Sequence, residues 1–285
     1  MVKAATGEIV SGEDLGGATL HCSISGITDH FASTEQESFG ILRDIISTLN
    51  IEDRTFPVEF DAPILKSEHL DFLSGLEIIE KENCYSLLAT LTDGSRFSEF
   101  KKMFGENLIA GFGFLEGILT GFLINCGPIT SADGQKGAHF VQLCDARDIP
   151  LIFLQNGQKN PPNESNVASA NDLKERAKFS QSHAVARVPK ISVNVGGIFG
   201  DELMTMCGPS FGPWFNFAWP TAKMSKHQPG GDAESAQFWA ARMTLDEVIS
   251  PAQTRNVLAK SIRFSLMNFE HNRWIRGTGK TVMRM

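Results

Sequence analysis

Two short apolar runs, LIFLQN at 151–156 and ISVNVGG at 191–197, constrain the fold more than any other feature of this chain. Each is apolar nearly throughout, the pattern of a strand buried on both faces, and each follows a stretch of helical periodicity. QKGAHFVQLCDARDIP precedes the first: Phe140, Val141, Leu143 and Cys144 fall at helical spacing, and Asp148 and Pro150 end the helix. A helix over about 167–187 precedes the second. Two such units in succession require parallel strands with helices packed outside them, so the fold class is α/β.

Upstream, LIAGFGFLEGILTGFLINCG reads as two glycine-punctuated strands with Glu116-Gly117 as the turn between them. IEKENCYSLLATLTDG reads as a helix ending at Gly94, and STEQESFGILRDIISTLN as one opened by a capping box at Ser33 or Thr34, with Phe39, Leu42, Ile46 and Leu49 on one face. Between them, residues 51–75 carry two prolines and little periodicity. The organisation expected is a unit over 1–50, a linker over 51–75, and a larger unit over 76–285 that starts near Leu76.

With 285 residues and 42% hydrophobic content, the chain has enough apolar surface for a substantial core. A net charge of −7 with no clustered run of Lys and Arg argues against a nucleic-acid surface. Cys22, Cys84, Cys126, Cys144 and Cys207 form no CxxC pair, and their odd number closes no complete disulfide set, so a reducing compartment is expected. The opening MVKAATGEIVSGEDLGG has neither the apolar core of a signal peptide nor the arginine richness of a transit peptide.

Several motifs are decoys. GTGKT at 277–281 resembles the end of a phosphate loop, but Trp274 stands where the loop needs its first glycine. GPSFG at 208–212 fits a nucleophile elbow on Ser210, yet a helix, not a strand, leads into it, so a turn is expected. No pair among the seven histidines has zinc spacing on one helix face, and His139, after KGA, is read as a helix-start cap. Phe211, Trp214, Phe215, Phe217 and Trp219 are read as strand core.

The segments VKAATGE, EDLGGATLHC, SGITDHFA, DGSRFSEFK, KGAHFVQLCDARDIPLIFLQN, VPKI, MCGPSFGPWF, WPTAK and ISPAQTRNVLAKSI carry a resemblance to one family. It is that of the carboxyltransferase (β) subunits of methylcrotonoyl-CoA carboxylase, among the biotin-dependent acyl-CoA carboxylases of leucine breakdown. The resemblance implies a crotonase-like fold of ββα units in a spiral, in two halves. The first half would bind most of the acyl-CoA and the second carboxybiotin, with the active site where one chain's first half meets another chain's second. Residues 1–50 would then be the tail of the first half and 76–285 the second, leaving most of the acyl-CoA platform absent. It also implies a partner carrying biotin carboxylase and biotin carrier, or full-length carboxyltransferase subunits, with no cofactor bound covalently to this chain. A mitochondrial matrix location is implied too, though no transit peptide is visible, the alternative being the cytoplasm.

Three departures bear on chemistry. Where the resemblance places small residues at an anion-holding turn, GGIFGDELMTMCG puts Asp201 and Glu202 after Gly200. Acids there are favoured by the helix dipole by about 0.3 to 1 kcal/mol. They would also repel a substrate anion by roughly 4 kcal/mol at a separation of about 4 Å and an effective dielectric of 20. Gly200, Asp201 and Glu202 are thus the expected degenerate oxyanion position, with Gly196, Gly197, Gln155 and Asn156 on the biotin side. The other two departures are GQKNPPNESN in place of a biotin-seating loop, and GGDAESAQFWAARMTLDEVISP in place of a longer helical excursion, with Phe238, Trp239 and Met243 expected to cover part of the exposed face. Together these imply carboxyl transfer that is impaired or lost in the chain alone, the alternatives being a non-catalytic partner of an intact carboxylase or another reaction of a CoA ester.

Overall fold

The computed structural model describes residues 2–49, 59–76, 79–157, 170–225 and 234–272. Eleven α-helices occur among them: α1 (Val2–Thr6), α2 (Gly12–Gly16), α3 (Ala18–Ser23), α4 (Glu35–Ser47), α5 (Glu68–Ser74), α6 (Lys81–Leu91), α7 (Ser131–Ala146), α8 (Ala170–Val185), α9 (Glu202–Thr205), α10 (Ala236–Ala240) and α11 (Thr254–Asn272). The strands are β1 (Ser98–Glu99), β2 (Leu108–Leu115), β3 (Ile118–Asn125), β4 (Leu151–Gln155), β5 (Lys190–Asn194), β6 (Gly197–Phe199), β7 (Phe215–Ala218), β8 (Lys223–Ser225) and β9 (Glu247–Val248). The main sheet runs β1-β2-β3-β4-β5-β7-β9, with β6 and β8 forming a separate parallel pair. From β3 onward the main sheet is parallel, and β2 and β3 form the expected antiparallel hairpin.

Glu116 (φ 48°) and Gly117 (φ 76°) both adopt left-handed backbone in the hairpin turn, the geometry that matches the twist of paired strands. The buried Asp93 carboxylate holds the turn, accepting from the N–H groups of Glu116 (3.0 Å) and Gly117 (2.7 Å), and is itself paired with Arg255 of α11 at 2.5 Å. A three-residue helical turn over Asp93–Ser95 follows α6, with Gly94 at φ 57°, where the sequence places a helix end.

α7 starts at Ser131, four residues before the expected stretch, because Thr130 and Asp133 form a reciprocal capping box. The second Asp133 oxygen accepts from the N–H groups of Asn107 (3.0 Å) and Leu108 (3.2 Å), tying the helix start to β2. This earlier start overturns the capping role expected of His139. That residue lies in the third turn, half-buried, with its ring edge against Phe100 at 5.2 Å. Removing the cap by Thr130→Ala is expected to cost about 1 kcal/mol, read as a lower urea midpoint with unchanged slope. α7 packs on α8 at close range: a Cβ on Gly137 would stand 2.7 Å from the Phe179 ring.

Two stretches differ from expectation. Within 51–75, residues 68–74 form α5, with Leu70 and Leu73 fully buried in the core. A seven-residue helix with two inward positions is too short to show as a period. α4 forms as expected, capped by Thr34, but Phe39, Leu42 and Ile46 remain 53%, 51% and 54% exposed. In α10 Trp239 packs against the core and donates to the Met224 carbonyl at 2.8 Å, while Phe238 lies beneath Arg242. Met243 is 92% exposed and covers nothing. The proline pair Pro161-Pro162, the GTGKT stretch and residues 226–233 lie outside the described residues.

Candidate functional site at the turn between the two strand pairs

After β5 the chain leaves the main sheet because the N–H groups of Val195 and Gly196 both donate to the Gln155 carbonyl, at 3.0 and 3.2 Å. β6 then pairs with β8, and Gly200, at φ 54°, donates to the Ser225 carbonyl at 2.9 Å before α9 begins. The paired glycines are fixed by contact with the end of β4. A Cβ on Gly196 would meet Asn156 Oδ1 at 2.5 Å, and one on Gly197 the Gly157 carbonyl oxygen at 2.7 Å. The Gly196 N–H is therefore spent inside the fold and is not free for a ligand.

Gln155 and Asn156 are also turned inward. Gln155 Nε2 donates to the Met206 carbonyl at 2.8 Å, holding the end of α9 to β4. Asn156 Nδ2 donates to the Ile79 carbonyl at 2.8 Å and its backbone N–H to Asn125 Oδ1 at 2.8 Å. Both side chains are buried staples between layers.

The two acids of the turn point in different directions. Asp201 is 64% exposed and forms an ion pair with Arg176 of α8, so it leaves the turn. Glu202 is 8% exposed and folds in, with Oε2 accepting the Phe199 N–H at 3.4 Å. Its carboxyl lies against the start of the segment that follows β4: a Cβ on Gly157 would fall 1.8 Å from Oε2. Burial pushes the Glu202 carboxyl up to about 7, opposed by the Phe199 N–H, with Asp201 raising it further and Arg176 lowering it. The turn thus holds one buried carboxyl raised to about 7, beside the outward Asp201–Arg176 pair.

The decoys resolve. Ser210 lies in a three-residue helical turn over Pro209–Phe211, reached from α9, so no strand delivers it as an elbow would. Of the five aromatics expected in a strand core only Phe215 and Phe217 lie in a strand, β7; Phe211, Trp214 and Phe215 are half-buried, while Phe217 and Trp219 are buried and Trp219 Nε1 donates to Thr254 Oγ1 at 2.9 Å. No group of three or more His, Cys, Asp or Glu residues among the described residues is placed to hold a metal ion.

Sequence reading missed two buried bases. Lys136 is 1% exposed, and burial pushes its amine down to about 8 against the opposing pull of Glu99, whose Oε1 is 4.0 Å away. His183 is fully buried among the rings of Phe153, Phe179 and Phe211. The signal was present in both cases: Lys136, Phe140 and Cys144 share one helix face, as do Phe179 and His183. A polar residue at an inward position of a core helix is the informative observation.

The carboxyl transferase domain family matches residues 1–236. The mitochondrial methylcrotonoyl-CoA carboxylase beta chain of Dictyostelium discoideum is 42% identical over 227 residues, covering 79% of this chain and 38% of that protein. The probable mitochondrial methylcrotonoyl-CoA carboxylase beta chain of Drosophila melanogaster is 34% identical over 324 residues, covering 94% of this chain and 56% of that protein. The chain therefore spans between about two fifths and three fifths of the length of these relatives. The transcarboxylase 12S crystal structure with hydrolysed methylmalonyl-coenzyme A bound superposes with a TM-score of 0.78 at 24% identity, over 100% of this chain and 59% of that one. That likeness makes the α/β architecture crotonase-like. With a matched region that includes the hairpin, both parallel-strand units and the Gly196–Glu202 turn, the chain belongs to the carboxyl transferase domain family.

Proposed function

We infer that this chain is a divergent carboxyltransferase subunit of the methylcrotonoyl-CoA carboxylase kind, built to work beside a biotin-carrying subunit, and that alone it transfers carboxyl groups poorly or not at all. The parent reaction would move a carboxyl group from carboxybiotin to 3-methylcrotonoyl-CoA, and the names of its relatives favour a mitochondrial setting. The observation that carries the second half of this reading is the Glu202 carboxyl, folded into the turn where the resemblance places an anion site.

At and above neutral pH that carboxyl is substantially ionised, and the residues present do not fit a biotin anion. Preorganised donors stabilise developing negative charge only when no fixed negative charge competes for the same space. Asp201 adds little to the repulsion, since Arg176 neutralises it at the surface. Glu202 is the residue responsible.

Incubating the purified chain with carboxybiotin and 3-methylcrotonoyl-CoA is expected to give no product above the uncatalysed background. Turnover at the rate of an intact carboxylase would overturn the reading. A second reading is favoured by the elevated Glu202 carboxyl, which suits a group that exchanges protons near pH 7: proton transfer at the α-carbon of a CoA ester. Deuterium uptake by 3-methylcrotonoyl-CoA in D₂O, lost in Glu202→Gln, would favour that reading over an idle site.

A further inference from the structure

All five cysteines carry free thiols, and two of them meet. Cys84 lies on α6 with its side chain fully buried, and Cys126, half-buried, follows the last residue of β3. The two thiols share a hydrogen bond. Asn156 fixes both halves of the pair. Its backbone N–H donates to Oδ1 of Asn125, next to Cys126, at 2.8 Å, and its Nδ2 reaches Cys84 Sγ at 3.5 Å. The Cys126 N–H in turn donates to the Asn107 carbonyl at 2.7 Å, so the chain after β3 is held in place as well.

The pair is asymmetric in the way that stepwise oxidation needs. Cys126 is the sulfur of the two that solvent reaches, whereas Cys84 is 0% exposed. The hydrogen bond to Cys126, and burial after it, raise the Cys84 thiol above its ordinary value, with Asn156 opposing. Cys84 therefore stays protonated and unreactive toward solvent while its neighbour is a thiol. The other three cysteines are buried and have different neighbours: Cys22 Sγ meets Thr28 Oγ1 at 2.9 Å, Cys207 bonds Ser192, and Cys144 lies where a Cβ on Gly121 would stand 2.8 Å from its sulfur.

We propose that Cys84 and Cys126 form a reversible disulfide when the chain meets a hydroperoxide, Cys126 reacting first and Cys84 closing the bridge. The Cys126 sulfur attacks one peroxide oxygen and the O–O bond breaks. Cys126 becomes a sulfenic acid, and its proton leaves with the departing hydroxide as water. The Cys84 sulfur then displaces the sulfenic hydroxyl, which takes the Cys84 proton and departs as a second water. The two sulfurs together lose two electrons, and the peroxide gains them. In a reducing compartment such a dithiol rests reduced, and its bridge is transient. The pair does not depend on the carboxyltransferase reading.

The test treats the reduced full chain with hydrogen peroxide at pH 7, blocks the remaining thiols with N-ethylmaleimide in urea, and digests with trypsin. Cleavage after Lys and Arg places Cys84 and Cys126 on separate peptides, 82–96 and 103–136. The expected product is those two peptides cross-linked and released by dithiothreitol, with Cys22, Cys144 and Cys207 still carrying maleimide. Cys84→Ser is expected to leave Cys126 as a sulfenic acid that dimedone traps. In Cys126→Ser, Cys84 is expected to oxidise at least about tenfold more slowly than Cys126 does in the natural chain. Should either variant fold poorly, the other and the natural chain's peptide map decide the matter. No cross-linked pair in the natural chain, a pair joining other cysteines, or undiminished oxidation of Cys84 once Cys126 is removed would overturn the proposal.

Discussion

Glu202→Gln is expected to be more stable than the natural chain at pH 8 by up to about 3 kcal/mol, and equal to it below pH 4.5. The group's ordinary value of 4.5 rises to about 7 in the fold, and each unit is worth about 1.4 kcal/mol. The folded chain therefore holds this proton more tightly than the unfolded chain does. The stability linked to Glu202 is fully present below pH 4.5 and is lost as pH rises through about 7. Glutamine keeps a carbonyl to accept the Phe199 N–H and has no charge to bury. Urea unfolding of both proteins at half-unit steps from pH 4.5 to 8.5 reads the difference directly. A difference that is flat across this range would mean that the carboxyl is well solvated.

His183 gives the opposite slope and the larger effect. Burial holds its imidazole at about 3, with Lys190 lowering it further, against an ordinary 6.5. Its ring nitrogens approach the backbone of Met204 and Thr205 without a well-formed hydrogen bond, and Lys190 Nζ donates to the His183 carbonyl at 2.6 Å. The folded chain refuses a proton that the unfolded chain accepts. The linked stability is present above pH 6.5 and lost as pH falls toward 3, by up to about 5 kcal/mol over the whole window. His183→Leu keeps an apolar occupant among the three rings and removes the titration. Its stability relative to the natural chain is expected to rise steadily as pH falls below 6.5, whatever constant offset the repacking introduces. Parallel curves for the two proteins would contradict the buried, neutral imidazole. His30 and His139 are also lowered by burial and add acid sensitivity of the same sign, which the difference between variant and natural chain cancels.

The four strands β2 to β5 of the main sheet were readable because their signals are local, whereas the two-residue edge strands β1 and β9 carry none. Alternation of apolar runs with helical periods, and Glu116-Gly117 between two strands, each fix backbone geometry within a few residues. α5 was not readable: Leu70 and Leu73 become core positions only through contact with α6 and the turn at Pro251–Gln253. The site was half readable. GGIFGDELM marks the strand-to-helix turn, but the directions of its acids are set by residues remote in the chain. Asp201 goes outward because Arg176 on α8 takes its charge, and Glu202 goes inward because Gly157, lacking a Cβ, leaves room for a carboxyl. Gln155 and Asn156 were given to a ligand, since nothing local shows that Met206, Ile79 and Asn125 claim their hydrogen bonds. Such partners are 31 to 77 residues away, and polar satisfaction at that range is decided by tertiary packing.

The most direct test is calorimetric titration of free biotin into the natural chain and Glu202→Gly at pH 8 and pH 6. If the carboxyl of Glu202 obstructs the anion site proposed at the Gly200–Glu202 turn, the glycine variant binds at least about tenfold more tightly at pH 8, and the gap narrows at pH 6 as the acid takes up its proton. Equal affinity for the two proteins at both pH values would show that the carboxyl does not obstruct the turn, and the account of an impaired site would fall with it.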